Sequence, residues 1–259
     1  MLISQAKLAL ALINKKKIRD EESLFVAEGE KLVEEAIKFG EVEFIVYSED
    51  VSAIIDAQKK NIKVYKISSS EMKKLSLVET PQGVLAVCRK TNYKISNLLN
   101  LRKPSNPLNS LILLPIEIQD PGNLGTMIRV VDAVGASGII VSKGTVDPYN
   151  PKVVRSTMGS IFRVPIVEID NLLSVLIGIQ DKGYRILGTD LVAKKTHWDI
   201  DYKQPTVLLI GNESVGLPSD ILKICDDTVK IPIPGKAESL NAAMAASIIL
   251  YEALRHKIF

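Results

Sequence analysis

The chain contains 259 residues, of which 46% are hydrophobic and 24% are charged, so wholesale disorder is excluded and a soluble globular protein is expected. The net charge of +3 is too small to establish a polyanionic partner, although it permits one. Apolar runs are too short for a transmembrane helix, and the N-terminus does not resemble a signal peptide. The two cysteines and two histidines lack the spacing of metal ligands, which predicts a reduced, cytoplasmic and metal-free protein.

Residues 1–95 predict a small α/β domain, because helical and extended patterns alternate along them. Ser68-Ser69-Ser70-Glu71 predicts a helix start, since its serine and glutamate can each accept a hydrogen bond from the other residue's backbone N–H. The predicted helices are Leu2–Leu12, Gly29–Phe39 and Val51–Lys60, and the predicted strands are Leu24–Glu28, Phe44–Tyr47, Ile62–Ile67 and Gly83–Cys88.

Residues 96–109 predict an interdomain linker. They hold two prolines and four asparagines, residue types that fix the backbone or compete for its hydrogen bonds. A long surface loop inside one domain is the alternative interpretation.

Residues 110–259 predict a second α/β domain with a parallel sheet, because apolar strands alternate regularly with helices. The strands are predicted at Leu111–Ile116, Gly138–Ser142, Val164–Ile169, Tyr184–Thr189, Thr206–Gly211 and Thr228–Ile233. The helices are predicted at Leu124–Val134, Pro151–Ser160, Asn171–Lys182 and Leu240–His256.

Common nucleotide-binding motifs are missing from the sequence. No two of the 15 glycines stand two residues apart, which excludes the dinucleotide-binding G-x-G-x-x-G, and no P-loop is present. Three other segments at predicted strand ends are rich in Gly, Asn, Pro and charge, namely 119–129, 211–217 and 231–241. Ligands gather at the carboxyl ends of parallel strands, although each segment alone could be ordinary turn chemistry.

Taken together, these segments resemble a known family. Asn123-x-Gly125-x-x-x-Arg129, Gly211-Asn212-Glu213-x-x-Gly216-Leu217 and Ile231-Pro232-x-x-Gly235 with Ser239-Leu240-Asn241 are similar to motifs 1, 2 and 3 of the SpoU (TrmH-like) RNA 2′-O-ribose methyltransferases of the SPOUT superfamily. Phe25-Val26-Ala27-Glu28-Gly29 and Thr80-Pro81-Gln82-Gly83-Val84 resemble the L30e-like substrate-binding domain that often precedes them.

The resemblance implies an N-terminal L30e-like α/β sandwich and a C-terminal parallel-sheet domain with a deep trefoil knot, which periodicity alone would not suggest. It further implies that S-adenosylmethionine binds in the knot and that a homodimer forms through the last helix, whose small face holds Ala242, Ala243, Ala245 and Ala246. The implied cofactor-binding residues are Thr189, Gly211, Ile231, Ile233, Ser239 and Leu240. A glycine at position 211 would let the backbone approach a ligand without a Cβ in the way.

The implied catalytic residues are Arg129, Asn123, Glu213, Ser239 and Asn241. The family assigns the general base to Arg129, whereas charge chemistry leaves open a role as a phosphate clamp, since arginine is effectively always protonated. Asn123 would orient Arg129 or bind the ribose, Glu213 would shape motif 2 or pair with Arg129, and Ser239 and Asn241 would cap the last helix and hold substrate.

The predicted RNA contacts are Lys15, Lys16, Lys17, Arg19 and Arg155, each of which could instead be an ordinary solvated residue. The expected activity is S-adenosylmethionine-dependent 2′-O-ribose methylation of RNA, with 23S ribosomal RNA preferred because an L30e-like front domain more often accompanies ribosomal substrates. A transfer RNA substrate and a non-catalytic RNA-binding protein are the alternatives. Base methylation is disfavoured, since the motifs resemble the ribose branch.

Overall fold

The computed structural model describes residues 2–99 and 110–258, which fold into helices and strands in the following order along the chain. The helices are α1 Ser4–Asn14, α2 Lys16–Glu22, α3 Glu30–Phe39, α4 Ser52–Lys59, α5 Ser69–Leu75, α6 Ile95–Leu98, α7 Pro121–Val134, α8 Pro151–Ser156, α9 Leu172–Gln180, α10 Ser219–Leu222 and α11 Ala242–Ile258. The strands are β1 Leu24–Glu28, β2 Val42–Tyr47, β3 Lys63–Lys66, β4 Val84–Arg89, β5 Leu111–Pro115, β6 Gly138–Ser142, β7 Ile166–Ile169, β8 Arg185–Thr189, β9 Lys195–Thr196, β10 Thr206–Ile210 and β11 Asp227–Lys230.

The described residues divide into two compact units. The first unit comprises the chain up to Thr91 together with Asp147–Arg163, and the second comprises the described parts of 92–146 and 164–258. The segment 147–163 therefore belongs to the first unit, although it lies inside the range predicted for the C-terminal domain. The predicted linker begins with α6, whose Leu98 is buried in the core of the second unit, and its residues 100–109 lie outside the described part of the chain.

A four-stranded sheet in the order β1-β4-β2-β3 forms the first unit. Strand β4 pairs antiparallel with both neighbours, and β2 pairs parallel with β3. Alternate strand residues such as Val26, Val46 and Leu85 pack with α1 and α5 in one apolar core. Helix α5 begins as predicted, because Ser68 and Glu71 form the reciprocal capping box.

A buried ion pair ties segment 147–163 into the first unit. Arg19 of α2 donates from Nε (2.9 Å) and Nη2 (2.6 Å) to Asp147 Oδ2, and from Nη1 to the Leu12 carbonyl (2.6 Å). Arg19 is only 4% exposed, so its predicted role as an RNA contact is wrong. The sequence shows the charge of this residue but not its burial. A buried guanidinium needs all of its donors satisfied within the protein, so none remains to bind RNA.

All seven strands of the second unit run parallel, in the order β7-β6-β5-β10-β8-β11-β9. Every residue of β5, β6 and β10 is buried, which is the signature of strands covered on both faces. Ile112 and Leu114 of β5 pack with Leu176 and Ile179 of α9. The predicted parallel α/β sheet is confirmed.

The structure differs from the predicted elements mainly around motif 3. Strand β11 ends at Lys230 rather than Ile233, and the last helix begins at Ala242 rather than Leu240. Pro232 and Pro234 have no N–H to donate to a ladder, so the apolar run there leaves the sheet. The short elements α2, α6, α10 and β9 were not predicted, because they are too brief to show a period.

Helix α11 packs against α7, and its alanines at 242, 243 and 246 are buried within the single chain. The small face predicted for a homodimer therefore packs inside the protomer. A different face, formed by Met244, Ile248 and Tyr251, is exposed on α11.

Candidate active site

The three motif segments meet at one edge of the seven-stranded sheet. Motif 1 follows β5, motif 2 follows β10 and motif 3 follows β11. Because these strands are parallel members of one sheet, their carboxyl ends lie at the same edge, and Thr189 at the end of β8 joins them there.

Helix α7 places the motif 1 residues. The Asp120 carboxylate accepts a hydrogen bond from the Asn123 backbone N–H (2.8 Å), and Pro121 occupies the first turn, where its missing N–H costs nothing. Asn123 thus lies in the first turn of the helix. Arg129 follows six residues later, so its side chain leaves the helix about 120° around the axis from Asn123.

A chain of side-chain hydrogen bonds joins the three motifs. Asn123 Nδ2 donates to Glu213 Oε1 (2.7 Å), and Asn241 Nδ2 donates to Asn123 Oδ1 (2.8 Å). Asn241 also caps α11, since its Oδ1 accepts from the backbone N–H groups of Ala243 (2.9 Å) and Met244 (3.2 Å). The predicted meeting of Asn123, Glu213 and Asn241 is therefore seen directly in the structure.

Arg129 and Ser239 stand apart from this chain of hydrogen bonds. Arg129 is exposed on α7, and among the described residues it forms no ion pair with Glu213, whose carboxylate instead accepts from Asn123. Ser239 is exposed and does not cap α11, so the predicted shared capping role falls to Asn241 alone.

Motif 2 is a tight loop closed on itself. Asn212 and Gly216 exchange backbone hydrogen bonds in both directions (3.2 and 2.9 Å), and Gly216 adopts a φ of +74°. A Cβ added at Gly211 would lie 2.3 Å from the Gly216 carbonyl carbon and 2.4 Å from the Leu217 nitrogen. The loop's own backbone thus requires glycine at 211, and the ligand approach predicted from the sequence stays a prediction.

Motif 3 supplies unpaired backbone beside apolar side chains. Within the described part of the chain, residues 232–240 belong to no helix or strand and make no backbone–backbone hydrogen bond. Ile231, Ile233 and Leu240 are half-buried, as is Thr189, whose Oγ1 donates to the Leu209 carbonyl (3.1 Å). An adenosyl group requires an apolar slot with free N–H and C=O groups at its rim, and this donor set fits it.

The four other residues predicted to contact RNA differ from one another in exposure and in ion pairing. Lys16 pairs with Asp20, and Lys17 with Glu21, each at 3.6 Å along α2. Lys15 is exposed just before that helix, and Arg155 is half-buried in the last turn of α8. Exposed pairs of this kind are weak, so Lys15, Lys16 and Lys17 keep access to a polyanion.

Other features of the described residues do not belong to this site. A cavity of about 380 Å³ lies at the amino ends of the strands, lined by Tyr184, Arg185 and Asp226 among others, which is the edge opposite the motifs. No described helix is long and apolar enough to cross a membrane, and no group of three potential metal ligands occurs among the described residues.

Sequence reasoning missed Gln119, Asp120 and the side chain of Asn212 as residues that shape the site. The signal for Asp120 was present, because an aspartate followed by proline is a common helix start. The contacts of Gln119 and Asn212 depend on which strands are neighbours, which a single sequence does not reveal.

A parallel α/β sheet with a polar site built from three loops at its carboxyl edge is typical of ligand-binding α/β proteins. Comparison with known families is more specific. Residues 110–251 match the model described as the SpoU rRNA Methylase family, and residues 5–86 match the model described as an MRM3-like substrate binding domain. The chain belongs to the SpoU rRNA methylase family.

Individual relatives agree with this assignment. The chain is 35% identical over 239 residues to the 23S rRNA (guanosine(2553)-2′-O)-methyltransferase RlmP of Bacillus subtilis, and the match covers 92% of each chain. It is 46% identical over 145 residues to a 23S rRNA (uridine(2479)-2′-O)-methyltransferase of Streptomyces viridochromogenes, covering 53% of this chain and 50% of the relative.

Solved structures extend the similarity to almost the full length. The SpoU methyltransferase AviRb of Streptomyces viridochromogenes in complex with the cofactor AdoMet has a TM-score of 0.86 at 30% identity, covering 99% of both chains. An AdoMet-bound rRNA methyltransferase from Sinorhizobium meliloti has a TM-score of 0.84 at 33% identity, covering 99% of this chain and 96% of the other.

Proposed function

We propose that the protein transfers a methyl group from S-adenosylmethionine to a ribose 2′-hydroxyl of 23S ribosomal RNA. The observation that carries the proposal is the hydrogen-bonded chain of Glu213, Asn123 and Asn241, which joins all three family motifs at the carboxyl edge of the sheet. Two relatives named for 2′-O-methylation of 23S rRNA support the substrate class.

The cofactor fits the loops described above. When bound, S-adenosylmethionine supplies an electrophilic methyl group. Thr189, Gly211 and the motif 3 residues Ile231, Ile233, Ser239 and Leu240 would hold it through backbone groups and apolar contacts. The protein must also hold the ribose 2′-oxygen in line with that methyl group and promote removal of the hydroxyl proton.

The proposed catalytic roles follow from the hydrogen-bond donors and acceptors that each polar side chain does not use within the protein. Asn123 uses one amide N–H and one carbonyl lone pair within the protein, so a second N–H and lone pair remain for the ribose. Arg129 is exposed and carries a planar fork of donors that can hold a ribose oxygen and a phosphate together. It acts on the 2′-hydroxyl either as the base or by stabilising the developing oxyanion.

The proposed function is tested by mapping 2′-O-methyl groups in ribosomal and transfer RNA from cells with and without the gene. Loss of one ribosomal 2′-O-methyl group, restored by the purified protein with S-adenosylmethionine, is the expected result. Loss of a transfer RNA methyl group would establish the alternative substrate. An unchanged methylation map with retained RNA binding would establish a non-catalytic binding protein.

The cofactor site is tested by adding a single methyl group to motif 2. Gly211→Ala places a Cβ against the Gly216 and Leu217 backbone, so the loop must move. Overpacking of this kind costs about 1–3 kcal/mol, and we expect S-adenosylmethionine affinity to fall at least about tenfold by calorimetry. Gly178→Ala on exposed α9, where nothing lies within 4 Å of the new Cβ, is the matched control. Unchanged affinity in Gly211→Ala would remove motif 2 from the cofactor site.

We further propose a homodimer through the exposed face of α11. Met244, Ile248 and Tyr251 recur at helical spacing and are 61%, 39% and 53% exposed. The direction in which Arg129 leaves α7, away from Asn123, is compatible with a site that a second copy completes. Because Ala246 is buried within the protomer, a charge there would disrupt the fold and would not report on assembly.

The dimer is tested by Ile248→Arg, which would bury an unpaired charge at the interface. We expect light scattering to show a folded monomer for this variant and a dimer for the wild type. Ile177→Arg, at an exposed isoleucine of α9, should leave the dimer intact. A wild-type monomer at micromolar concentration would contradict the proposal.

Three further features are proposed with this function. Family membership supports a trefoil knot in the second unit, and a ribosomal substrate supports a cytoplasmic location. Lys15, Lys16, Lys17 and Arg155 would contact RNA phosphates from the first unit, which contains the whole match to a substrate-binding domain.

A further inference from the structure

The segment that leads into motif 1 is held from both sides by neighbouring strands and the loop after β6. Ile116 donates its backbone N–H to the Ile210 carbonyl (2.8 Å) at the end of β10. On the other side, Val146 donates to the Ile118 carbonyl (2.9 Å), and Ser142 Oγ donates to the Pro115 carbonyl (3.2 Å). The path of residues 115–119 is therefore set by the ends of β6 and β10 and by the loop that follows β6.

Glu117 lies at the centre of this segment in an unusual conformation. Its φ is +55°, the left-handed region that a glutamate adopts only at a cost in free energy. Its side chain is exposed, so no packing of that side chain explains the conformation. Its backbone carbonyl, by contrast, accepts two side-chain hydrogen bonds.

Two side-chain amides converge on that carbonyl. Asn212 Nδ2 donates to the Glu117 oxygen at 2.8 Å, and Gln119 Nε2 donates to it at 3.3 Å while also donating to the Gly144 carbonyl. Asn212 uses its Oδ1 separately, to accept from the backbone N–H groups of Ser214 (2.9 Å) and Val215 (3.3 Å). The Glu117 carbonyl thus links the loops that follow β5 and β10, and the Gln119 amide adds the loop that follows β6.

The residues on either side of this link carry the candidate chemistry. Gln119 directly precedes Asp120, the cap that places Asn123, and Asn212 directly precedes Glu213. The 2.7 Å bond between Asn123 and Glu213 depends on the relative position of the two loops, and the Glu117 carbonyl is their shared anchor.

We propose that Gln119 and Asn212 are positioning residues for methyl transfer, which act by holding the Glu117 carbonyl and thereby the alignment of Asn123 with Glu213. This inference rests on the proposed function. It assigns neither residue a contact with cofactor or RNA.

The test uses Gln119→Ala and Asn212→Asp, the second of which keeps the Oδ1 acceptor but loses the donor to Glu117. We expect each to lower kcat about tenfold, because a misplaced catalytic group is costly even when binding is intact. The RNA KM and the S-adenosylmethionine Kd should stay within about twofold of wild type, because neither residue is assigned a contact with RNA or cofactor. Gln180→Ala removes a glutamine that bonds a carbonyl at the opposite sheet edge, and it should leave kcat unchanged.

Two combined variants separate positioning from other roles. Because both amides act on one carbonyl, the double variant should lose less than the product of the single losses. Glu117→Asn in the Gln119→Ala background should recover part of kcat, since asparagine tolerates positive φ better than glutamate.

Four results would overturn the proposal: an unchanged kcat in both single variants, a raised RNA KM with unchanged kcat, strictly multiplicative losses, or no recovery with Glu117→Asn. If the wild-type protein transfers no methyl group, the proposed function is contradicted. If the wild type is active and the variants are unaffected, the positioning proposal alone fails.

Discussion

Replacement of Arg129 by lysine is expected to lower the single-turnover rate at saturating RNA by at least about 10²-fold, the lower range for loss of a general acid or base. Lysine keeps the positive charge but loses the planar fork that can hold two oxygens together. S-adenosylmethionine affinity should barely change, because the proposed cofactor residues lie at the end of β8 and in motifs 2 and 3. Calorimetry and rapid-quench methyl transfer with the same protein measure the two quantities.

Arg89→Lys is the matched control, because Arg89 is also partly exposed but pairs with Glu41 and Glu43 in the first unit. It should keep the wild-type rate. A raised RNA KM with kcat nearly intact in Arg129→Lys would make Arg129 a phosphate clamp. A near-wild-type rate would move the search for the base to Glu213 or to the RNA itself.

The largest loss of stability is expected from Asp147→Ala. The substitution leaves the Arg19 guanidinium buried without its carboxylate partner, 4% exposed among apolar groups of the first unit. Breaking one side of a buried pair typically costs about 3–5 kcal/mol in the free energy of unfolding. Hydrogen–deuterium exchange of the β1 and β4 amides during chemical unfolding measures this loss within the first unit.

Two controls distinguish pairing from simple burial. Asp56→Ala removes an exposed partner of Lys59 and should change stability little. The double variant Arg19→Met with Asp147→Leu removes both charges and should be much less damaging than Asp147→Ala alone. Equal losses in the single and double variants would mean that packing volume, and not the unpaired charge, sets the cost.

Much of the second unit could be predicted from the sequence because its strands are buried on both faces and read as continuous apolar runs. The rule that apolar runs form strands failed at Ile231 and Ile233. Prolines alternate with these two isoleucines, so the run leaves the sheet. Segment 147–163 was placed with its sequence neighbours, since nothing in its periodicity shows that Asp147 pairs with a residue 128 positions earlier.

The candidate site was predicted to a similar extent. Asn123, Glu213 and Asn241 could be named because they stand in recognisable motifs, and the structure brings them together. The shared anchor at Glu117 could not be named, because it exists only once β5 lies between β6 and β10. The exposed face of α11 was also missed, since the many alanines of that helix drew the prediction to the face that packs inside the protomer.

The membership of residues 147–163 in the first unit has a consequence for biosynthesis. The polypeptide leaves the first unit after Thr91, returns at Asp147 and leaves again after Arg163. A ribosome must therefore release residue 163 from its exit tunnel before the first unit can be completed, by which time β5 and β6 of the second have already emerged. The first unit therefore cannot be completed before part of the second has been synthesised, and a fragment cut at the end of the predicted N-terminal domain would carry Arg19 without its counter-ion.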